Sequence, residues 1–185
     1  MIKFLVTTSH RPTRNTRRFT KFISMILPNF IRVNRGKLTL SMLALQAIDM
    51  NIDRVVIIRN RKGNPGYIDI YNVDYLNNSL RLLCTLKICG YSLSTTIRGG
   101  LAKKRTFNGI VLNLDIEEDL DKSEMNEALE CLVHLFPLTI QRPSDNMCKQ
   151  DNYLFVNIRK NVENRIYEVK FQDCARLLGI LRICT

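Results

Sequence analysis

Arg14, Arg17, Arg18 and Lys21 recur at intervals of three and four residues, the spacing that stacks side chains on one face of an α-helix. Phe19, Phe22, Ile23 and Ile26 use the same interval, centred a few residues on, which at ~3.6 residues per turn separates the two sets by roughly 140°. One face of such a helix can pack on a sheet while the other holds four cations toward solvent. Like charges on adjacent turns repel by about a few tenths of a kcal/mol per pair. No Asp or Glu lies between Met1 and Ile48 to relieve them. An external polyanion would, and arginine suits phosphate because its planar fork donates two parallel hydrogen bonds. The competing reading is a merely solvated helix surface, and the missing acidic partners weigh against it.

Further cations extend this pattern. Arg11 precedes the helix, and Arg35 and Lys37 flank Gly36 in a second basic loop. Arg59, Arg61 and Lys62 lead into a Gly63-Asn64-Pro65-Gly66 turn, and Lys103, Lys104 and Arg105 lie in a connector. Gly36-Lys37 lacks the upstream glycine and the following Ser/Thr of a nucleotide-phosphate loop, so no nucleotide site is expected there. Fifteen of the 28 Lys/Arg but only four of the 17 Asp/Glu fall in residues 1–92, so the whole net charge of +11 belongs to that half. This asymmetry points to nucleic acid or an anionic membrane surface.

Catalytic chemistry is poorly supported. Asp115, Glu117, Glu118, Asp119, Asp121 and Glu124 could form the acidic cluster of a metal-dependent nuclease. A simpler reading makes Asp121 and Glu124 a capping pair that opens a helix. His10 and His134 have no nucleophile or second base assignable to them. The expectation is a protein that is not an enzyme, with no catalytic residue, metal ligand or cofactor and no small-molecule substrate.

The elements that must position these residues can be read from periodicity and breakers. Ile2–Thr8 reads as a strand, Thr13–Leu27 as a helix stopped by Pro28, and Phe30–Asn34 as a short strand. A second helix, Thr39–Met50, puts Leu40, Leu43, Ala44 and Ala47 on one face. Strands follow at Asp53–Asn60, Tyr67–Val73 and Leu80–Tyr91, with turns at Lys62–Gly66 and at Asn77-Asn78. After Arg98-Gly99-Gly100 come a strand at Phe107–Leu114, a helix at Asp121–Phe136 and a short strand at Leu138–Gln141. A polar loop at Arg142–Asp151 then leads to strands at Tyr153–Lys160, Arg165–Phe171 and Ala175–Cys184.

The two halves repeat: strand, helix ending in Pro, strand, then three closing strands. The last strands, Arg81 to Cys89 and Arg176 to Cys184, are identical at six of nine positions. The expected fold is an α/β protein of two pseudo-symmetric halves from an internal duplication, the second half lacking the second helix. The expected organisation is a single domain, 1–185, made of a basic half at 1–95 and a neutral half at 104–185.

At 185 residues the chain can bury roughly 70% of its unfolded surface without staples. No apolar run approaches the ~18 residues of a membrane span, and the N-terminus lacks the cleavage site of a secretory signal, so a cytoplasmic location is expected, nucleolar if the source is eukaryotic. The six cysteines contain no CxxC pair, which argues against zinc. They are expected to be small buried apolar side chains, disulfides being uncommon in a reducing cytosol outside hyperthermophiles.

Three segments carry a family resemblance: Leu5-Val6-Thr7-Thr8-Ser9-His10-Arg11-Pro12-Thr13, Pro28-Asn29-Phe30-Ile31-Arg32-Val33-Asn34-Arg35-Gly36-Lys37, and Asp53-Arg54-Val55-Val56-Ile57-Ile58 with Lys62-Gly63-Asn64-Pro65-Gly66. In these the chain resembles the Brix family of ribosome-assembly proteins, and in an archaeal, single-domain form, since it is little longer than the domain. The resemblance implies a duplicated α/β fold similar to the anticodon-binding domain of class IIa aminoacyl-tRNA synthetases. It also implies a role in ribosomal RNA processing and subunit assembly, with ribosomal RNA or its precursor and other assembly proteins as partners and no membrane. Arg32, inside the second segment, joins the expected RNA-contacting cations. The alternative role is a scaffold that docks an acidic assembly-factor partner, with the closing strands offering a free edge.

Overall fold

Alternating burial along the strands builds one nine-stranded sheet, in the order β2-β1-β3-β4-β5-β9-β8-β7-β6. The computed structural model describes residues 2–94, 107–115, 122–136, 153–161, 165–174 and 176–185. The first half comprises β1 (Phe4–Thr8), α1 (Arg14–Ile26), β2 (Phe30–Arg32), α2 (Leu40–Asp49), β3 (Arg54–Arg61), β4 (Asn64–Asp74) and β5 (Ser79–Leu93). The second comprises β6 (Gly109–Asp115), α3 (Lys122–Leu135), β7 (Tyr153–Asn161), β8 (Ile166–Asp173) and β9 (Arg176–Cys184). The expected strand at Leu138–Gln141 lies outside the described residues.

Both halves use the same pairing logic. β1 runs parallel to β3, and β6 parallel to β7; antiparallel hairpins β3-β4-β5 and β7-β8-β9 follow. The ladders skip one residue at matching places, Leu83 opposite the Ile70/Tyr71 step and Leu178 opposite the Phe171/Gln172 step. β5 and β9 pair antiparallel at the midline, with Ile88 opposite Ile183. The two most similar strands are therefore the two that meet. They cover each other over residues 87–93 and 179–184, while residues 79–86 of β5 pair only with β4 among the described residues, where the terminal strands are β2 and β6.

Helices α1 and α3 share one face, over a core that runs from Phe4 and Val6 to Leu181 and Ile183 without a break at the midline. Helix α1 begins at its Thr13 cap, whose hydroxyl accepts from the Thr16 amide, and buries Phe19, Phe22, Ile23 and Ile26 as the spacing predicts. Thr16 and Thr20 are buried with them, the Thr20 hydroxyl donating to the Thr16 carbonyl at 2.8 Å. Phe22 reaches across to Phe171, and a Cβ at Gly179 would sit 2.7 Å from its ring. Helix α3 in turn lies against β4 and β5 of the first half, where Arg54 donates to the His134 carbonyl at 2.5 Å. That bond occupies a carbonyl that the end of a helix leaves without an intrahelical donor. Helix α2 covers the opposite face, packing Leu43 and Ala47 on Leu5, Val55 and Ile57. Leu40, expected on the same stripe, is 42% exposed because it opens the helix beyond the sheet.

The cysteines depart from expectation. Cys84 on β5 is bonded to Cys131 on α3, with Cα atoms 5.8 Å apart, and Cys89 to Cys184 across the midline, 5.7 Å apart. Cys174 is disulfide-bonded as well. Sequence gave no sign of these pairs because their partners are 47 and 95 residues apart and meet only through helix crossing and strand pairing. By chain entropy, closing the 47-residue loop contributes about 4 kcal/mol. Replacing Cys131 with Ser should therefore lower the denaturant midpoint while the m-value rises as the unlinked denatured chain expands, and reduction of the wild type should shift the midpoint the same way; a midpoint that stays put in both would show the link contributes nothing.

Glu168 on β8 sits between Lys170 at 3.2 Å and Arg182 at 3.1 Å. Burial pushes its carboxyl up, but the hydrogen bonds and charges of those two cations outweigh this and hold it below the usual carboxylate range. A depressed folded value stabilises the fold above the unfolded pKa, and this contribution is lost as pH falls through the folded one. Acid titration of stability should therefore show a decline below about pH 4 that is shallower in Glu168→Gln; identical acid limbs would remove Glu168 from the account.

A cationic loop edge as candidate nucleic-acid interface

Strands β2, β1 and β3 are parallel, so their carboxyl ends open on one edge of the sheet. Open α/β sheets bind ligands outside the carboxyl ends of their strands. The three segments that leave this edge are the β1–α1 loop with Arg11, the β2–α2 loop with Arg35, Gly36 and Lys37, and the β3–β4 hairpin with Arg61 and Lys62. Both α1 and α2 begin here, each under a threonine cap and neither with an acidic residue in its first turn. Their uncompensated N-terminal amides favour anions.

Short polar bonds tie the three segments together. Asn60 donates to the Arg11 carbonyl at 3.0 Å, and its amide oxygen accepts from the Thr13 N–H at 3.4 Å. Asn15 on α1 donates to Asn64 on β4 at 2.8 Å. The His10 ring, in the tautomer with its proton on Nδ1, donates to the Gly36 carbonyl at 3.3 Å. Asn15, Asn60 and Asn64 thus position the site, although sequence inspection passed over them. Their partners stand 47 to 49 residues away, beyond any local signal.

The hairpin tip is a two-residue loop, Lys62-Gly63, with φ of 48° and 80°. The predicted turn over Lys62–Gly66 is tighter than expected, since β4 already begins at Asn64. Gly66 is required where the strands close: a Cβ there would lie 2.1 Å from that of Arg61. Left-handed backbone is uncommon for long side chains, yet both Arg11 (φ 52°) and Lys62 adopt it, each lifting a cation at this edge.

The expected cations separate into groups. Arg11, Arg14, Arg17, Arg18, Lys21, Arg32, Lys37, Arg61 and Lys62 are exposed, and no ion pair engages them among the described residues. Arg14, Arg17 and Arg18 lead along α1 away from the loop edge, while Lys21 meets Arg32 beside β2, where both line a cleft of about 540 Å³. Arg35 differs: only 9% exposed, it folds its Nε onto the Leu38 carbonyl at 3.1 Å, and burial lowers its pKa. Arg59 is committed too, held in a two-point pair by Asp69 (Nε–Oδ2 2.5 Å, Nη2–Oδ1 2.9 Å) and lying over Tyr67. Thr85 completes the coordination of Asp69 at 2.8 Å, and the carboxylate's hydrogen bond raises the Arg59 pKa. These two arginines brace the loops that carry the free cations. Lys103, Lys104 and Arg105 lie outside the described residues, as do Glu117, Glu118, Asp119 and Asp121 and the side chains of Asp115 and Glu124.

Fold and site together define an α/β sheet protein whose free cations gather at one carboxyl edge and along one helix. No protein-family model matches the chain. It is 33% identical over 138 residues to a "Probable Brix domain-containing ribosomal biogenesis protein" of Aeropyrum pernix, covering 75% of this chain and 73% of that one. The crystal structure of a "probable ribosomal biogenesis protein" from the same organism superposes with a TM-score of 0.77 at 28% identity, over 100% of this chain and 97% of that one. A shorter match, 33% over 73 residues, joins 40% of this chain to 25% of the U3 small nucleolar ribonucleoprotein protein imp4 of Schizosaccharomyces pombe. The chain belongs to the Brix-domain family.

Lys62 tests the geometry of the tip. Asn adopts the left-handed region at lower cost, so Lys62→Asn should raise stability by about 1 kcal/mol while removing one cation. A thermal melt that moves down instead would contradict the described turn.

Proposed function

We propose that this protein is an RNA-binding ribosome-biogenesis factor, acting in ribosomal RNA processing and subunit assembly, that holds ribosomal RNA or its precursor by phosphate contacts. The observation that carries this reading is the convergence of unpaired Arg11, Lys37, Arg61 and Lys62 with two helix N-termini at one sheet edge, continued by Arg14, Arg17 and Arg18. The process is supported by relatives named as a probable ribosomal biogenesis protein and as a U3 small nucleolar ribonucleoprotein protein. Phosphate contacts fix register, while the clustered asparagines supply amides suited to base edges.

The repeated pairing order, the matching bulges and the Ile88–Ile183 crossing favour descent of the halves from one duplicated unit, within a single Brix-like domain similar to the synthetase anticodon-binding domain. In that reading the first copy kept the cations and the second serves packing and protein partners.

The test is RNA binding by fluorescence anisotropy across a salt series. On single strands log affinity should fall with a slope near −0.7 per neutralised phosphate, so four contacts predict roughly a 50-fold loss between 50 and 200 mM salt. Arg14→Glu with Arg18→Glu should weaken binding by at least about tenfold and flatten the slope. Glu at position 14 also sits favourably at the positive end of the helix, so the fold is retained. Unchanged affinity in the folded double variant would sink the proposed interface.

A further inference from the structure

The cleft between α1 and β2 has a different character from the loop edge. Its lining combines Lys21, Ser24 and Met25 of α1 with Phe30, Ile31 and Arg32 of β2. Lys21 and Arg32 are exposed, Ile31 is 40% exposed, and among the described residues no acidic one lines it. Its floor is a sheet edge: β2 pairs with β1 on one side, and among the described residues no strand pairs with the other.

The register identifies the backbone groups on that open side. The Asn29 carbonyl accepts from the Phe4 amide at 2.9 Å, and the Val33 amide donates to the Val6 carbonyl at 3.0 Å. Residues of a parallel strand alternate the side to which they bond. Asn29, Ile31 and Val33 therefore face β1, and the amides and carbonyls of Phe30 and Arg32 face the cleft. Two donors and two acceptors stand at strand spacing under two cations, the pair of Arg32 on an exposed residue and the pair of Phe30 on one only 3% exposed.

We infer that this cleft docks an extended acidic peptide segment of a partner protein, which adds to the sheet as a tenth strand along β2. The ladder groups of Phe30 and Arg32 supply pairing, Lys21 and Arg32 select acidic side chains on the α1 face, and Ile31, which shares the opposite face with Leu5, receives the apolar ones. Strand addition draws affinity from main-chain bonds and specificity from alternate side chains. An RNA strand could meet the two cations but cannot continue a β-ladder, and apolar Met25 and Ile31 offer it no phosphate contact. The inference stands apart from the RNA-binding proposal, since it uses the cleft rather than the loop edge.

The probe is a fluorescein-labelled octapeptide alternating Glu and Val, with two relatives N-methylated on one or the other alternate set of amides. Saturable binding is expected for the parent peptide and for one methylated form, with at least about tenfold loss for the other, whose blocked amides would face β2. Lys21→Glu with Arg32→Glu should weaken the parent peptide by about tenfold or more. Hydrogen exchange in the wild type should show slowing at the Phe30 and Arg32 amides when the peptide is bound. Absence of saturable binding, equal affinity of both methylated forms, or unchanged exchange at these two amides would each overturn the strand-addition site. A short single-stranded RNA that protects the same amides and displaces the peptide would assign the cleft to nucleic acid instead.

Discussion

The parallel alignment of β1 with β2 and β3 is the constraint on which the site depends. Parallel strands need crossover connections, and α1 and α2 provide them. Once three strands run the same way, their carboxyl ends must share an edge and both crossover helices must start there. Loops that are far apart in the chain then become neighbours, and Asn15, Asn60, Asn64 and His10 hold them by short bonds. The cations gather because the topology gathers their loops.

A second consequence concerns which cations remain available. Burying Asp69 between Arg59 and Thr85 satisfies the carboxylate and fixes the hairpin at its base. Arg35 similarly spends its guanidinium on its own loop. Cations two residues apart, Arg59 and Arg61 or Arg35 and Lys37, therefore take opposite roles, the first anchoring the loop and the second exposed. Net charge alone cannot make that distinction, because it depends on whether an acceptor, Asp69 for Arg59 and the Leu38 carbonyl for Arg35, stands within reach.

Much of the fold was legible because it rests on local rules. The 3.6-residue period of α1, its Thr13 cap and its stop before Pro28 all lie within one segment. The likeness of Arg81–Cys89 to Arg176–Cys184 even marked the two strands that meet at the midline. What stayed hidden was long-range. Disulfides, the asparagine ties and the crossing of α1 onto Gly179 join residues 47 or more apart. Thr16 and Thr20 read as polar, but their hydroxyls are satisfied along the helix and can be buried.

The midline has a bearing on how the chain acquires its shape. Each three-stranded meander, β3-β4-β5 and β7-β8-β9, is made from neighbours in sequence and can zip up early. The seam between β5 and β9 instead joins residues about 95 positions apart, the kind of pairing that slows folding. During synthesis β5 emerges with its outer rim at residues 87–93 open until β9 arrives. An open rim of that length templates pairing with other chains. Pairing by β9 thus closes an aggregation-prone surface, and substitutions that weaken that strand would leave a half-sheet without its natural cover.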